Sequence, residues 1–252
     1  DTKPGGKGRL HVTPPPWRID YLHPMDALED YAMARGYGSF EPQMNVPYTV
    51  GAVHELTNST DRVRDHLIGC GFEETIGNVL CERRVVCEAV RAAFDSPRRP
   101  EPVTLANPTS ELVGVMRDAL LPGLLRLEGA SPRAAYPHRI FEVGEVQVAD
   151  PAHPHGSHTE WHAAALWAAP AVAFSDMHAL LEALSRFLGW KASLEPADRG
   201  MFIPGRAGRI QFAGASVGHM GEVHPEVLES FGIRMPTVGF EVLLARVPEM
   251  SS

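Results

Sequence analysis

A run of strand-like segments near the C-terminal end of the chain is the strongest indication of its fold. Three segments have the pattern of strands, GRIQFAG, ASVGHMGEV and TVGFEVLL, and a short helical segment, HPEVLESFG, lies between the last two. Consecutive strands with so little helix between them are typical of antiparallel sheets. The run therefore predicts an antiparallel sheet in this part of the chain.

Segments upstream of this run supply both strands and helices. The alternating stretch HRIFEVGEVQVA and the apolar stretch EWHAAALWAA are interpreted as strands. The stretch SDMHALLEALSRFLGW is the clearest helix, with Ser175 as its N-cap and an apolar face at helical spacing. That face consists of Met177, Leu180, Leu181, Leu184 and Leu188. The fold class is α+β.

The pattern before these segments is more mixed. A helix is predicted at 56–68, closed by Gly69 and Gly71, and the strand FEETIGNVL follows it. A short helix at 82–93 and the strand VTLAN come next. The stretch SELVGVMRDALLPGLLRLEG is predicted to be mostly helix, with Pro122 at a break or at the start of a second helix.

The first part of the chain is interpreted as a smaller unit. A helix begins at Pro24, and four apolar residues have the spacing of a buried stripe: Met25, Leu28, Tyr31 and Ala32. The stretch EPQMNVPYTVG, punctuated by Pro and Gly, marks a boundary after it. We predict a small-domain segment at residues 1–45 and a core at residues 46–252.

Composition excludes several classes of protein. Of the 252 residues 44% are apolar and 21% are charged, as in soluble globular proteins. No apolar run approaches the roughly 18 residues of a membrane span, and the first residues do not resemble a signal peptide. The chain begins with Asp1 rather than Met, so we expect a piece of a longer protein.

Charge and cysteine content argue against further classes of protein. The net charge of −8 argues against a chain that grips a nucleic-acid backbone by itself, because Lys and Arg contacts to phosphate dominate such binding. Three cysteines, Cys70, Cys81 and Cys87, form no CxxC pair. This pattern predicts neither a disulfide framework nor a thiolate zinc site, and it fits a reducing cytoplasm.

Several ordered motifs carry a family resemblance. They are LANPTSELVGVMRDALLPGLL, RIFEVGEV, PGRAGRIQF, VGHMGEVHPEVLESFGI and VGFEVLL, preceded by PPWRIDYLHPMDALEDYAMARGYG. In this order, from about Pro15 to Leu244, the chain resembles the C-terminal part of the β subunit of phenylalanyl-tRNA synthetase, in its archaeal and eukaryotic form.

The resemblance implies an architecture and a role. It implies a class II aminoacyl-tRNA synthetase-like core, with an antiparallel sheet flanked by helices, preceded by the end of a small α/β domain. In this family the α subunit binds ATP, phenylalanine and the acceptor end of tRNA(Phe), and the β core packs against it in an α2β2 heterotetramer. The chain is therefore expected to be a structural and assembly part of a cytoplasmic ligase of protein biosynthesis.

The sequence agrees with a core that does no chemistry of its own. Adenylate formation needs arginines placed on the phosphates of ATP, where they stabilise charge in the transition state. Class II enzymes place one in an Arg-x-Glu strand and another after a Gly-x-Gly turn. RIFEVGE lacks the first pattern, and PGRAGRI matches the second only weakly. We assign no catalytic residue.

Four carboxylates crowd the stretch RIDYLHPMDALED: Asp20, Asp26, Glu29 and Asp30. A solvated helix end is one interpretation, because acidic residues near a helix N-terminus interact favourably with its dipole. Carboxylates four residues apart, however, disfavour one another unless a cation offsets them. The family has Asp, Asp, Glu and Asp at these spacings, where they resemble a site for Mg²⁺ shared with the α subunit. Mg²⁺ keeps several waters, so some of the four are expected to act indirectly.

Other candidate residues favour structural roles. Four histidines, His153, His155, His158 and His162, lack a cysteine partner and are interpreted as a mobile loop rather than a zinc site. Arg117 keeps the family's arginine, although Asp118 and Ala119 replace the small hydroxyl residues that usually follow, and we expect an ion pair there. Glu142 and Glu222 are interpreted as strand-edge carboxylates rather than an acid/base pair.

Two alternatives stay open. A free-standing paralogue that serves as a binding or interaction protein is the first, and an independent amino-acid-activating enzyme is the second and weaker. The helix at 56–68 and the strand after it resemble the dimerising element of class II folds. Their apolar face is therefore expected to be exposed in this piece, which would allow it to self-associate.

Overall fold

The computed structural model describes residues 1–44, 50–88, 101–133, 135–197, 200–212 and 214–244. The chain divides into two compact units, Asp1–Ala52 and Val53–Ser252. The boundary predicted between residues 45 and 46 lies outside the described residues. In the described part of the chain, no helix is both long and apolar enough to cross a membrane.

The first unit consists of a short hairpin and one helix. Strands β1 (Thr2–Pro4) and β2 (Leu10–Val12) pair antiparallel, and helix α1 spans Pro24–Arg35. No residue of α1 is buried. The predicted apolar stripe is therefore wrong as a buried feature: Met25, Leu28 and Tyr31 are each more than half exposed. Two strands of three residues offer too little apolar surface to cover such a helix.

The second unit contains four helices and nine strands among its described residues. The helices are α2 (Glu55–Gly69), α3 (Leu121–Ala130), α4 (Phe174–Leu188) and α5 (Pro225–Ser230). The strands are β3 (Glu73–Glu74), β4 (Leu80–Cys81), β5 (Val115–Met116), β6 (His138–Ala149), β7 (Ser157–Ala168), β8 (Ala192–Pro196), β9 (Phe202–Phe212), β10 (Ala215–Val223) and β11 (Thr237–Leu243).

Seven of these strands form one sheet in the order β3-β6-β7-β11-β10-β9-β8. Neighbouring strands are antiparallel except β3 and β6, which are parallel. Strands β9, β10 and β11 are direct neighbours, as the run of consecutive strands predicted. Strands β4 and β5 form a separate two-stranded sheet. The expected α+β architecture with a mostly antiparallel sheet is confirmed.

Helices cover both faces of the large sheet, and the residues of β7 illustrate this arrangement. Its alternate residues point to opposite sides, so Ala163 and Ala165 enter one apolar cluster while Ala164 and Leu166 enter another. The first cluster lies against α2 and α4 and includes the predicted face of α4. The second lies against α3 and α5. A strand buried on both faces carries no polar alternation, and its small alanines leave room for the helices.

Several local predictions were wrong. Helix α4 has Ala173 as its N-cap, and its cap N–H donates to the Asp176 carboxylate at 2.8 Å, so Ser175 is not the cap. VTLAN forms only an isolated bridge at Thr104, and SELVGVMRD is a short 3₁₀ turn followed by β5. Pro122, in contrast, lies in the first turn of α3, where its missing N–H is tolerated, and this confirms the predicted placement at the start of a helix.

Two further elements differ from expectation. FEETIGNVL forms strand only at its two ends, as β3 and β4, and β8 was not predicted because its five residues alternate weakly. The helix predicted at 82–93 is a π-helical turn over Arg84–Glu88, and the rest of that prediction lies outside the described residues.

Candidate functional site

The four predicted carboxylates surround the start of α1 but have different partners. Asp26 accepts the backbone N–H groups of Leu22 at 2.6 Å and His23 at 2.7 Å, which caps the helix. Asp20 and Asp30 both bind the guanidinium of Arg18. Glu29 is exposed. The structure thus brings Asp20 and Asp30 together and leaves the other two outside that contact.

Arg18 is the cation at the centre of this cluster. Its Nε and Nη2 atoms each lie 2.9 Å from an oxygen of Asp20, and its Nη1 lies 3.1 Å from Asp30 Oδ2. The Tyr21 hydroxyl also donates to Asp30. Hydrogen bonds from Arg18 lower the pKa of both carboxyl groups, and the hydrogen bond to Asp30 raises the pKa of Tyr21. The sequence offered a signal that was missed, an arginine two residues before Asp20.

The fit of this cluster to Mg²⁺ depends on Arg18. Carboxylate oxygens are the donors that Mg²⁺ prefers, so the chemistry of the four residues suits the ion. Within the described residues, however, no three His, Cys, Asp or Glu side chains are arranged to hold a metal ion. Arg18 would have to release Asp20 or Asp30 before a metal could share them.

A buried ion pair lies where Arg117 was expected to have one. Arg117 Nη1 is 2.6 Å from Glu142 Oε1, and both side chains are less than a tenth exposed. Glu142 therefore belongs to the interior, not to a strand edge. Glu222 lies on β10, an interior strand of the sheet, where it binds the exposed Arg206 at 2.6 Å and accepts the N–H of Phe174. Glu142 and Glu222 are thus paired with different arginines, which is typical of structural ion pairs.

The histidine-rich segment is the turn of a long hairpin. His153 and His155 lie in the turn between β6 and β7, whereas His158 and His162 lie within β7. The prediction of a loop is therefore wrong for the last two. His158 contacts Asp150 and Glu160, at 3.3 and 3.2 Å. The His158 and His162 imidazoles pair with carboxylates, and within the described residues the histidines form no group that could hold a metal ion.

One partly buried network was not predicted. His162 Nδ1 lies 2.6 Å from Glu241 Oε1, and its Nε2 lies 3.1 Å from Glu160 Oε2. The two oxygens of Glu241 also accept the N–H groups of Leu120 and Leu121, each at 3.0 Å, at the start of α3. The carboxylate thus satisfies helix N–H groups that lack partners within the helix, and it connects β7, β11 and α3.

The predicted exposed face of α2 is only partly exposed. Val63 and Leu67 pack into the core, while Ile68 is 53% exposed and Ile76, in the segment after the helix, is 93% exposed. Exposed apolar side chains that occur singly, such as these two, are common on globular proteins.

Comparisons with known proteins agree with the residues that carried the resemblance. The profile of the phenylalanyl-tRNA synthetase β chain CLM domain matches residues 42–244. The phenylalanine–tRNA ligase β subunit of Thermococcus gammatolerans is 34% identical over 242 residues, which is 94% of this chain and 42% of that protein. The β subunit of Korarchaeum cryptofilum is 35% identical over 243 residues, and that of Borrelia hermsii is 30% identical over 239.

These relatives are longer than the chain, which spans about 42% of the length of the Thermococcus and Korarchaeum proteins. The matched residues include the whole large sheet and the helices on both of its faces. By this match the chain belongs to the family of phenylalanyl-tRNA synthetase β chains, as a segment that contains the CLM domain.

Proposed function

We propose that the chain is a structural and assembly core of phenylalanine–tRNA ligase, the enzyme that joins phenylalanine to tRNA(Phe) with ATP. The observation that carries the proposal is the family match over residues 42–244. In this proposal the α subunit performs the chemistry in an α2β2 assembly in the cytoplasm. The segment holds that subunit in place and does no catalysis itself.

The sheet supports a class II synthetase-like origin for this core. An antiparallel sheet covered by helices on both faces agrees with that architecture. The arginines that could have served ATP have other partners in this chain. Arg117 is buried against Glu142, and Arg206, in the stretch that faintly echoes the Gly-x-Gly motif, binds Glu222. These contacts support a core that has kept its framework without phosphate-binding arginines.

We also propose that Asp20, Asp26, Glu29 and Asp30 contribute to a Mg²⁺ site shared with the α subunit. Support comes from their carboxylate chemistry and from Asp20 and Asp30, which already face one cation, the Arg18 guanidinium. The ion would connect the subunits and would not take part in the reaction. Because Arg18 pairs with two of the four, we expect the site to form only when the α subunit binds.

Assembly is the direct test of this function. The chain and an α subunit from the same source are mixed, and the molar mass of the complex is measured by light scattering after gel filtration. Formation of a complex that Mg²⁺ strengthens is the expected result. Asp26→Ala with Glu29→Ala weakens the complex, whereas Glu41→Ala, also in the first unit, leaves it intact.

Activity measurements separate the alternatives. We expect no ATP–pyrophosphate exchange from the chain alone, and exchange by the isolated chain would support an independent activating enzyme instead. A chain that neither binds an α subunit nor increases charging of tRNA(Phe) by that subunit would contradict the assembly role. That result would support the free-standing interaction protein.

A further inference from the structure

A cavity of about 390 Å³ lies in the second unit beside α3, within the size range of small-molecule sites. Part of its wall is apolar and includes Val85, Val86 and Leu124. Its polar lining includes the buried Arg117–Glu142 ion pair and the exposed Arg126. No step of the proposed assembly role uses this cavity.

The buried Arg117–Glu142 pair does not use all of its polar atoms in hydrogen bonds. Glu142 Oε1 accepts from Arg117 Nη1 and from the Gly77 N–H at 3.0 Å, and Arg117 Nε donates to the Glu145 carbonyl at 2.9 Å. Arg117 Nη2 and Glu142 Oε2 make no hydrogen bond to another described residue, and neither atom is fully enclosed. One donor and one acceptor are therefore open to a ligand.

Glycines keep space around the pair. A Cβ atom at Gly144 would lie 2.6 Å from Arg117 Nη2, and one at Gly77 would lie 3.1 Å from Glu142 Oε2. A Cβ atom at Gly123, which also lines the cavity, would meet nothing within 4 Å. The space beside Gly123 is therefore open, and a larger side chain there would extend into it.

We propose that this cavity is a binding site for a small, net-neutral molecule that carries a hydrogen-bond donor and an acceptor on an apolar body, such as an amide or a zwitterionic amino acid. The buried ion pair is neutral as a unit, and Arg126, the other charged residue of the lining, is exposed to solvent. A ligand with one net charge would therefore bring an uncompensated charge beside the buried pair, which is costly. The ligand's donor meets Glu142 Oε2, its acceptor meets Arg117 Nη2, and its apolar part lies against Val85, Val86 and Leu124.

Three probes of nearly the same shape test the class of ligand. Benzamide is neutral with a donor and an acceptor, benzoate is an anion without a donor, and benzylammonium is a cation without an acceptor. Each is titrated into the ¹⁵N-labelled 252-residue chain while amide chemical shifts are followed. Benzamide is expected to give saturable shifts at Gly77, Gly123 and Gly144. The charged probes are expected to bind about tenfold more weakly, because each leaves a buried group unpaired.

Matched variants test the location. Gly123→Leu adds a large side chain at a residue that lines the cavity and is expected to abolish the benzamide shifts. Gly69→Leu makes the same change in α2 at another position without neighbours within 4 Å, and it is expected to leave the benzamide affinity unchanged. Gly123→Ala takes up less space and is expected to give an intermediate affinity. Thermal melts of all three variants confirm folding, and Gly123→Ala decides the matter if Gly123→Leu does not fold.

Each possible result either supports or overturns the proposal. Saturable benzamide binding that weakens from wild type to Gly123→Ala supports the site. The proposal is overturned if benzamide gives no saturable shift at Gly77, Gly123 and Gly144, or if the Gly123 variants bind as wild type does. Equal binding of all three probes overturns the role of the Arg117–Glu142 pair.

Discussion

His162 and Glu241 are separated by 79 residues in the sequence, yet their side chains meet at 2.6 Å inside the protein. Burial disfavours the charged imidazole, but hydrogen bonds to Glu160 and Glu241 outweigh it and raise the pKa of His162 to about 9. Burial likewise disfavours the charged Glu241 carboxylate, but His162 and the N–H groups of Leu121 and Leu120 lower its pKa to about 2. The pair is therefore ionised at neutral pH.

This pair predicts a loss of stability at alkaline pH. The folded-state pKa of His162, about 9, is above its ordinary value of 6.5, so its contribution is complete below pH 6.5 and is lost as the pH rises through 9. We expect the free energy of unfolding to fall by about 2 to 3 kcal/mol across this window. Urea unfolding at a series of pH values measures it.

Two variants decide whether His162 is responsible for the alkaline loss. His162→Gln is expected to be less stable at neutral pH and to lose this dependence on pH. His178→Gln removes a more exposed histidine, and it is expected to behave as wild type. An unchanged alkaline loss in His162→Gln would show that another group is responsible.

Glu241→Gln tests the contact with α3 separately. The amide keeps the shape of the carboxylate but leaves the His162 imidazolium with Glu160 as its remaining described carboxylate partner, a change that is expected to cost about 2 kcal/mol. The substitution also weakens the hydrogen bonds from the N–H groups of Leu120 and Leu121. Faster hydrogen exchange at the start of α3 is therefore expected. Glu145→Gln, an exposed change on β6, is the control and is expected to stay within about 0.5 kcal/mol of wild type. Unchanged exchange in Glu241→Gln would contradict the capping role.

Two glycines in α3 predict opposite effects of one substitution. Alanine is a better helix former than glycine by about 1 kcal/mol, and the Cβ position at Gly123 is open, so Gly123→Ala is expected to stabilise the protein by up to that amount. At Gly129 a Cβ atom would overlap the carbonyl oxygen of Phe231, which is backbone and moves only with α5. Gly129→Ala is therefore expected to cost more than about 2 kcal/mol.

Denaturant unfolding of both variants measures this contrast, and each variant is the control for the other. A stabilised Gly129→Ala would show that the segment that ends α5 moves away from α3 without cost.

The parts of the fold that the sequence predicted are those with strong local patterns. β6 and β7 were recognised from alternation and from an apolar run, and α4 from five apolar residues at helical spacing, all of which are buried. The stripe on α1 has the same kind of spacing and is exposed. Periodicity shows that a helix has an apolar side, but only the neighbouring elements determine whether that side is covered.

The candidate sites show the same limit. The four carboxylates were interpreted either as a solvated helix end or as a site for a cation, and Mg²⁺ was the cation proposed. Arg18, which pairs with two of them, was not considered, because the position of an arginine in the sequence does not show which carboxylates it meets. The contact of His162 with Glu241 depends on the register of β7 and β11, in which Glu241 lies opposite Ala164, two residues from His162. No local pattern encodes that register, so the network was not predicted.

The last prediction concerns the Arg117–Glu142 pair. Removing one partner is expected to lower the free energy of unfolding more than removing both. Glu142→Leu leaves a buried guanidinium with a carbonyl partner at Glu145 but no counter-charge, and breaking a buried pair in this way costs about 3 to 5 kcal/mol. Arg117→Met leaves the carboxylate with only the Gly77 N–H and is expected to cost a similar amount.

The double variant Arg117→Met with Glu142→Leu buries no charge and is expected to be more stable than either single variant. Urea unfolding of the four proteins closes a double-mutant cycle, with a coupling energy of at least about 1 kcal/mol expected for groups in direct contact. Additive losses would mean that each residue is held by its backbone contacts alone. The ion pair would then contribute nothing to the fold, and the charge balance on which the neutral-ligand proposal depends would lose its basis.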